Sequence, residues 1–218
     1  MISMRGGALR YGDRTVWSGL DLDVAAGEFV AVLGSNGSGK TSLLKVLLGL
    51  RRLSAGTVTV GGRPPRRGGP LIGYVPQHRG VPPYTPLRAR DLVRLGVDGH
   101  RWGPRPPGPD ARRRVREALR DVGAEAFADV PIELLSGGEL QRVRVAQALA
   151  SGPRLLLCDE PLASLDAAHQ RIVSELVGRR CREHGTAVVF VTHEVEPVLP
   201  FADRVLRMPG GPEARDVA

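Results

Sequence analysis

The segment Gly34-Ser-Asn-Gly-Ser-Gly-Lys-Thr41 separates two glycines by four residues and follows the second with Lys and Thr. That is the spacing of the phosphate-binding loop of nucleotide hydrolases. Glycine backbones let N–H groups converge on phosphate oxygens, so Gly34, Ser35, Asn36, Gly37, Ser38 and Gly39 read as the cradle of a nucleotide. Lys40 is then placed to reach the outer phosphates and the Thr41 hydroxyl to ligate Mg²⁺, with Ser42 beside them. The lysine is informative in itself. The chain carries 31 basic residues, and all but Lys40 and Lys45 are arginine. A slim ammonium can pass between phosphates where the broad guanidinium fork cannot.

Three further apolar runs end in a polar residue suited to nucleotide chemistry. Leu71-Ile-Gly-Tyr-Val75 leads to Gln77, Arg154-Leu-Leu-Leu-Cys158 to Asp159-Glu160, and Thr186-Ala-Val-Val-Phe-Val191 to Thr192-His193. Asp159 is placed to hold the Mg²⁺ shell with Thr41. Glu160, one residue further, has the reach of a general base on the attacking water. Ser136 and Glu139 form a capping box at the head of a helix running to Ala150. Gly137 and Gly138 in its first turn weaken that helix. Bare N–H groups beside a serine hydroxyl suit the close approach of a phosphate.

Strands and helices must position these groups. Phe29-Val-Ala-Val-Leu33 is a buried strand that opens the phosphate loop, and Thr41 to Leu48 is helical with Gly49 as its stop. Residues 1–33 read as several short strands with turns at Gly12-Asp13 and Ala26-Gly27, and Thr57-Val-Thr-Val60 as another. Residues 80–110 are rich in Pro, Gly and Arg, and Gly103 to Pro109 fits neither helix nor sheet interior. Arg112 to Val122 is helical. Asp166 caps a helix to His184 with Ile172, Val173, Leu176 and Val177 as its core face and Gly185 as its stop. Alternating strands and helices at both ends of the chain, with a helical, Pro-interrupted section between, describe an α/β parallel sheet with a mainly helical insertion. Ligands in such sheets sit beyond the carboxyl ends of the strands.

Composition narrows the setting. No apolar run approaches the length of a membrane span, and the N-terminus lacks the pattern of a secretory signal. Cys158 and Cys181 are isolated, without metal spacing or a disulfide framework. The net charge of +8 reads as a solvated arginine surface, and the few aromatics offer no stacking platform for single strands, so no nucleic acid is expected.

Taken together, Gly34 to Thr41, Gln77, Leu135 to Arg142, Leu155 to Glu160, Ser164-Leu-Asp166 and His193 resemble, in order and spacing, the ATP-binding subunits of ABC transporters over essentially the whole chain. The resemblance implies an α/β phosphate-loop NTPase of ABC type. Its RecA-like parallel core spans 1–80 and 151–218, with an N-terminal antiparallel part and a helical insertion at about 81–150. It implies that Tyr11 stacks on adenine, that Gln77 joins Mg²⁺ and water to a membrane partner, and that His193 contacts the γ-phosphate. It also implies that Asp166 links two subunits, and that Ser136, Gly137, Gly138 and Glu139 close on the ATP held by a second copy. The expected cofactors are ATP and Mg²⁺. The expected partners are a second copy of the chain, a polytopic permease and an extracytoplasmic substrate-binding protein, with the chain on the cytoplasmic face of the membrane. Two positions depart from the family pattern: Glu139 stands where many members carry Gln, and Cys158 where an aliphatic residue is usual. Since the sequence runs only a little past Arg204 to Met208, no regulatory C-terminal domain is expected.

Cargo is legible only in finer likeness. Ile72 to Gln77, the Pro-rich stretch after it, Asp91-Leu-Val and Thr192 to Pro200 resemble the zinc and manganese uptake branch. The rival readings are an ABC exporter or other importer, a non-transport ABC ATPase, and a small-molecule kinase sharing only the phosphate loop. The Ser136 to Glu139 and Asp159-Glu160 motifs argue against the last.

Overall fold

The computed structural model describes residues 1–77, 85–99 and 108–208 and the backbone of 215–217. The Pro-rich stretch after Gln77 and most of Gly103 to Pro109 lie outside the described residues. In chain order the elements are β1 (Ile2–Tyr11), β2 (Arg14–Val24), β3 (Phe29–Leu33), α1 (Lys40–Leu47), β4 (Ala55–Val60) and β5 (Ile72–Val75). They continue with α2 (Ala89–Asp98), α3 (Pro109–Asp121), α4 (Gly137–Leu149), β6 (Leu155–Asp159), α5 (Ala167–His184), β7 (Ala187–Thr192), β8 (Arg204–Arg207) and β9 (Arg215–Val217).

Two sheets result. One is antiparallel, in the order β2-β1-β4; the other runs β5-β6-β7-β3-β8-β9 and is parallel from β5 to β8. The first 24 residues are not several short strands. They form one long hairpin, with Tyr11 opposite Arg14 across the Gly12-Asp13 turn and Ile2 opposite Val24. Irregular pairing between Met4 and Arg10 lets these strands bend without ending.

The parallel strands are apolar at nearly every position because both faces are covered. Their residues alternate between two cores, as a two-residue period demands. Phe29 and Ala31 of β3, Leu156 and Cys158 of β6, and Val188 and Phe190 of β7 join the core shared with α2 to α5. Val30 and Val32, Leu155 and Leu157, and Val189 and Val191 join the core shared with α1 and the antiparallel sheet. The Phe29 and Phe190 rings stack at 5.6 Å in the first of these.

Helices α2, α3 and α4 all run between β5 and β6. Helix α2 lies in the 80–110 stretch rich in Pro, Gly and Arg, within the expected helical insertion. Its apolar Ala89, Leu92, Val93 and Val97 nonetheless keep a helical spacing, and Ala89 and Val93 are buried. In α5, Val173, Leu176 and Val177 are buried, whereas Ile172 is 40% exposed. The buried stripe continues to Cys181 and leaves Ile172 on its flank. Among the described residues no helix is long and apolar enough to cross a membrane.

Leu156 is fully buried in the middle of the parallel sheet. Its replacement by Ala is expected to lower unfolding free energy by about 2–5 kcal/mol, read by urea denaturation; a loss below about 1 kcal/mol would contradict this packing.

Candidate functional site

The register of the parallel sheet brings four strand ends level. Leu33 lies opposite Thr192, Val191 opposite Asp159, and Cys158 opposite Val75. The residues that follow therefore leave the sheet along one edge: the phosphate loop after β3, Gln77 after β5, Glu160 after β6 and His193 after β7. A cavity of about 580 Å³ opens there, a size suited to a nucleotide. Tyr11, Asn36, Gly37, Gly39, Lys40, Thr41, Ser42, Gln77, Glu160 and His193 line it. Arg14 and Val16 line it as well, and nothing in their local sequence marks them; the hairpin return of β2 brings them in.

The loop is shaped by contacts that exclude side chains. Gly39, at the N-cap of α1, has φ 93°, and a Cβ there would come within 2.6 Å of Trp17 and Val16. A Cβ on Gly34 would meet Ser38 Oγ at 2.6 Å and the Met208 carbonyl at 2.7 Å. Ser38 is buried, so it shapes the loop from within. Lys40 is also buried. Its Nζ donates to the carbonyl oxygens of Gly34 at 2.7 Å and Ser35 at 3.0 Å and lies 3.5 Å from Glu160 Oε1.

The two carboxylates occupy different environments. Asp159 accepts hydrogen bonds from Thr41 Oγ1 at 2.9 Å and from the Tyr74 hydroxyl at 3.2 Å. Burial pushes its carboxyl above the usual range, against the lowering effect of those two hydrogen bonds. Tyr74 is a site residue the sequence alone does not single out; its place in β5, beside β6, is what brings it in. Glu160 turns away with φ 48°, a left-handed conformation that non-glycine residues seldom adopt and that recurs where side chains are aimed for function. Its Oε2 receives Gln77 Nε2 at 3.4 Å and lies 3.5 Å from His193 Nδ1. Lys40, Gln77 and His193 thus converge on one carboxylate.

Tyr11 also lines the cavity, 39% exposed, with its hydroxyl 3.5 Å from Ser42 Oγ and the Arg51 guanidinium 5.2 Å from its ring centre. Ser136 to Glu139 do not line this cavity. The capping box there is formed: Ser136 N–H donates to Glu139 Oε2 at 2.9 Å, and Glu139 N–H to Ser136 Oγ at 3.3 Å. Only one of the two glycines leaves open backbone. A Cβ on Gly137 would meet nothing within 4 Å, whereas one on Gly138 would collide with the His169 ring. Packing against His169 is by itself enough to exclude a side chain at Gly138. Asp166 caps α5 through the His169 N–H at 2.9 Å. Cys158 is fully buried, and burial raises its thiol well above the ordinary value, as befits a small core residue.

The family model described as ABC transporter matches residues 17–163. The chain belongs to the ABC transporter family. It is an ATP-binding subunit of that family and an ATPase. The zinc import ATP-binding protein ZnuC of Paramagnetospirillum magneticum is 39% identical over 206 residues, 94% of this chain and 72% of the relative. The aliphatic sulfonates import ATP-binding protein SsuB 3 of Nocardia farcinica is 41% identical over 210 residues, 96% and 77% of the two chains. A dimeric ATP-binding cassette solved in a post-hydrolysis state with ADP and Pi superposes with a TM-score of 0.81 at 27% identity, covering 99% of this chain and 97% of that one.

The raised Asp159 carboxyl gives a stability prediction for this ABC ATPase. Its folded form takes up a proton more readily than the unfolded chain, so its contribution declines as pH rises through the carboxylate range and stays low above it. Asp159→Asn without nucleotide, in a metal chelator, is expected to melt higher than the parent at pH 7, with the gap closing below about pH 4. A lower melting temperature at pH 7 would contradict the burial penalty.

Proposed function

We propose that this ABC ATPase is the motor of a membrane importer and works as a head-to-tail pair of identical chains enclosing two ATP molecules. The observation that carries the reading is the convergence of Lys40, Gln77 and His193 on Glu160 at one sheet edge, beside the phosphate loop. Gly34 to Ser42 cradle the phosphates, and Tyr11 stacks on the adenine. Lys40 exchanges its contacts with Gly34, Ser35 and Glu160 for the outer phosphates. That exchange frees the Glu160 carboxylate to take a proton from the attacking water. The water oxygen bonds to the γ-phosphorus as the bond to the bridging oxygen breaks, leaving ADP and phosphate. His193 and Gln77 position the γ-phosphate and the water.

The donor set fits Mg²⁺. Among the described residues no group of three or more His, Cys, Asp or Glu is placed to hold a metal ion. The Thr41 hydroxyl and Asp159 instead offer the few oxygens that suit a cation sharing its shell with phosphates and water. A divalent cation would offset the burial penalty on Asp159, with Gln77 as a third ligand. When bound, Mg²⁺ neutralises charge that develops on the phosphate oxygens.

Ser136, Gly137, Gly138 and Glu139 of one copy complete the site of the other, and Asp166 lies at the same junction. The pair sits on the cytoplasmic face of the membrane against a polytopic permease, supplied by an extracytoplasmic substrate-binding protein. Zinc or manganese is the cargo this reading favours, supported by the ZnuC relatives and the likeness around Gln77 and His193. The SsuB relatives, at similar identity, support aliphatic sulfonates as the second reading.

Glu160→Gln is expected to keep nucleotide affinity while ATP turnover falls by about 100-fold or more. Unchanged turnover would remove Glu160 from the role of base. Lys40→Ala is expected to weaken ATP binding about 10-fold or more, read with a fluorescent ATP analogue; an unaltered affinity would place the phosphates elsewhere. For cargo, a deletion strain should fail in chelated, zinc- and manganese-poor medium and recover with added metal. Failure only on sulfonate as sulfur source would favour the second reading.

A further inference from the structure

The imidazole of His169 touches two functional turns at once. His169 lies in the first turn of α5, and its ring occupies the space a Cβ on Gly138 would need, so it lies against the first turn of α4. The same ring faces the Asp166 carboxylate, with Nδ1 2.9 Å from Oδ1 and 2.8 Å from Oδ2. Hydrogen bonds from the His169 backbone and ring hold the Asp166 carboxyl below its usual range, so it is ionised and only accepts, and Nδ1 is the donor. The pair is about one-third and two-thirds exposed, and such pairs add little to stability. What it provides is geometry. Two helix N-termini from separate parts of the chain are fastened through one side chain. Gly137, one residue before the covered position, stays open.

We propose that His169 is a positioning residue for assembly: it holds the Ser136 to Gly138 turn and Asp166 as one unit, so that a second copy of this chain meets both at a fixed spacing. The proposal rests on the sandwich reading above. It assigns His169 two separable duties. Asn at this position can place its amide nitrogen where Nδ1 stands and donate to Asp166, but leaves Gly138 uncovered. Phe covers Gly138 but has no donor for Asp166.

The test uses the full chain carrying Glu160→Gln, with saturating ATP and Mg²⁺, and measures the dimer dissociation constant by sedimentation equilibrium. Nucleotide affinity of the dilute monomer and the thermal midpoint are measured in parallel. Adding His169→Ala is expected to weaken the dimer about 10-fold or more while the other two readouts hold. His169→Asn and His169→Phe should each recover part of the loss, and they carry the comparison if the Ala variant is unstable. Gly138→Ala should disrupt assembly in the parent and do so less when His169→Ala has vacated the space, a coupling that only contacting residues show. An unchanged dimer constant in His169→Ala, or parallel loss of nucleotide affinity, would overturn the proposal. If the Glu160→Gln parent itself never dimerises, the sandwich reading falls and the proposal with it. A dimerising parent unaffected by His169→Ala removes His169 alone.

Discussion

The structure is organised around a cluster of charges that water would ordinarily hold. Lys40 and Asp159 are buried, and Glu160 is largely so. Isolated burial of any of them would be costly. Each is accommodated by a particular neighbour: Lys40 by two loop carbonyls, Asp159 by the hydroxyls of Thr41 and Tyr74, Glu160 by Lys40 and Gln77. These charges and their partners come from three segments far apart in sequence: the phosphate loop with Thr41, Tyr74 to Gln77, and Asp159-Glu160. Only a rigid sheet with level strand ends can deliver them together, and the double-sided apolar packing of β3, β6 and β7 supplies that rigidity.

On the proposed reading, one chain holds a nucleotide by its phosphates without enclosing it. Tyr11, Glu160 and His193 line the cavity, while Ser136 and Gly137 lie outside it. A single chain that enclosed its own nucleotide would bring those residues to Lys40. Their placement at the head of α4, with Gly137 open, suits contact with another molecule. A symmetric pair uses the same two surfaces twice and closes on itself, which is the economical solution for identical chains. Here the mechanism and the assembly become one question.

Much of this local geometry was legible because its signals are local. Gly34 to Thr41, Asp159-Glu160 and the Ser136–Glu139 box are contiguous, and each depends on a strand or cap whose signal lies within a few residues. The cap at Asp166 and the stop at Gly185, in the left-handed conformation, are of the same kind. What escaped depends on long-range packing. Tyr74 and Arg14 reach the site through sheet register and the hairpin return. Helix α2 was hidden by the composition around it, since its periodicity occupies only ten residues. Ile172 was drawn into the core by its type, whereas the stripe facing the sheet runs through Val173 and Cys181. Gly138 carries a chemical motive in the sequence, and the fold adds a steric one, an imidazole 31 residues further along the chain.

The most direct test of the central claim is the mass of Glu160→Gln in solution, measured by light scattering after size exclusion, with and without ATP and Mg²⁺. An ATP-dependent pair would have the 23.4 kDa of one chain without nucleotide and twice that mass with it. The mass of a single chain at saturating ATP and Mg²⁺ would contradict it.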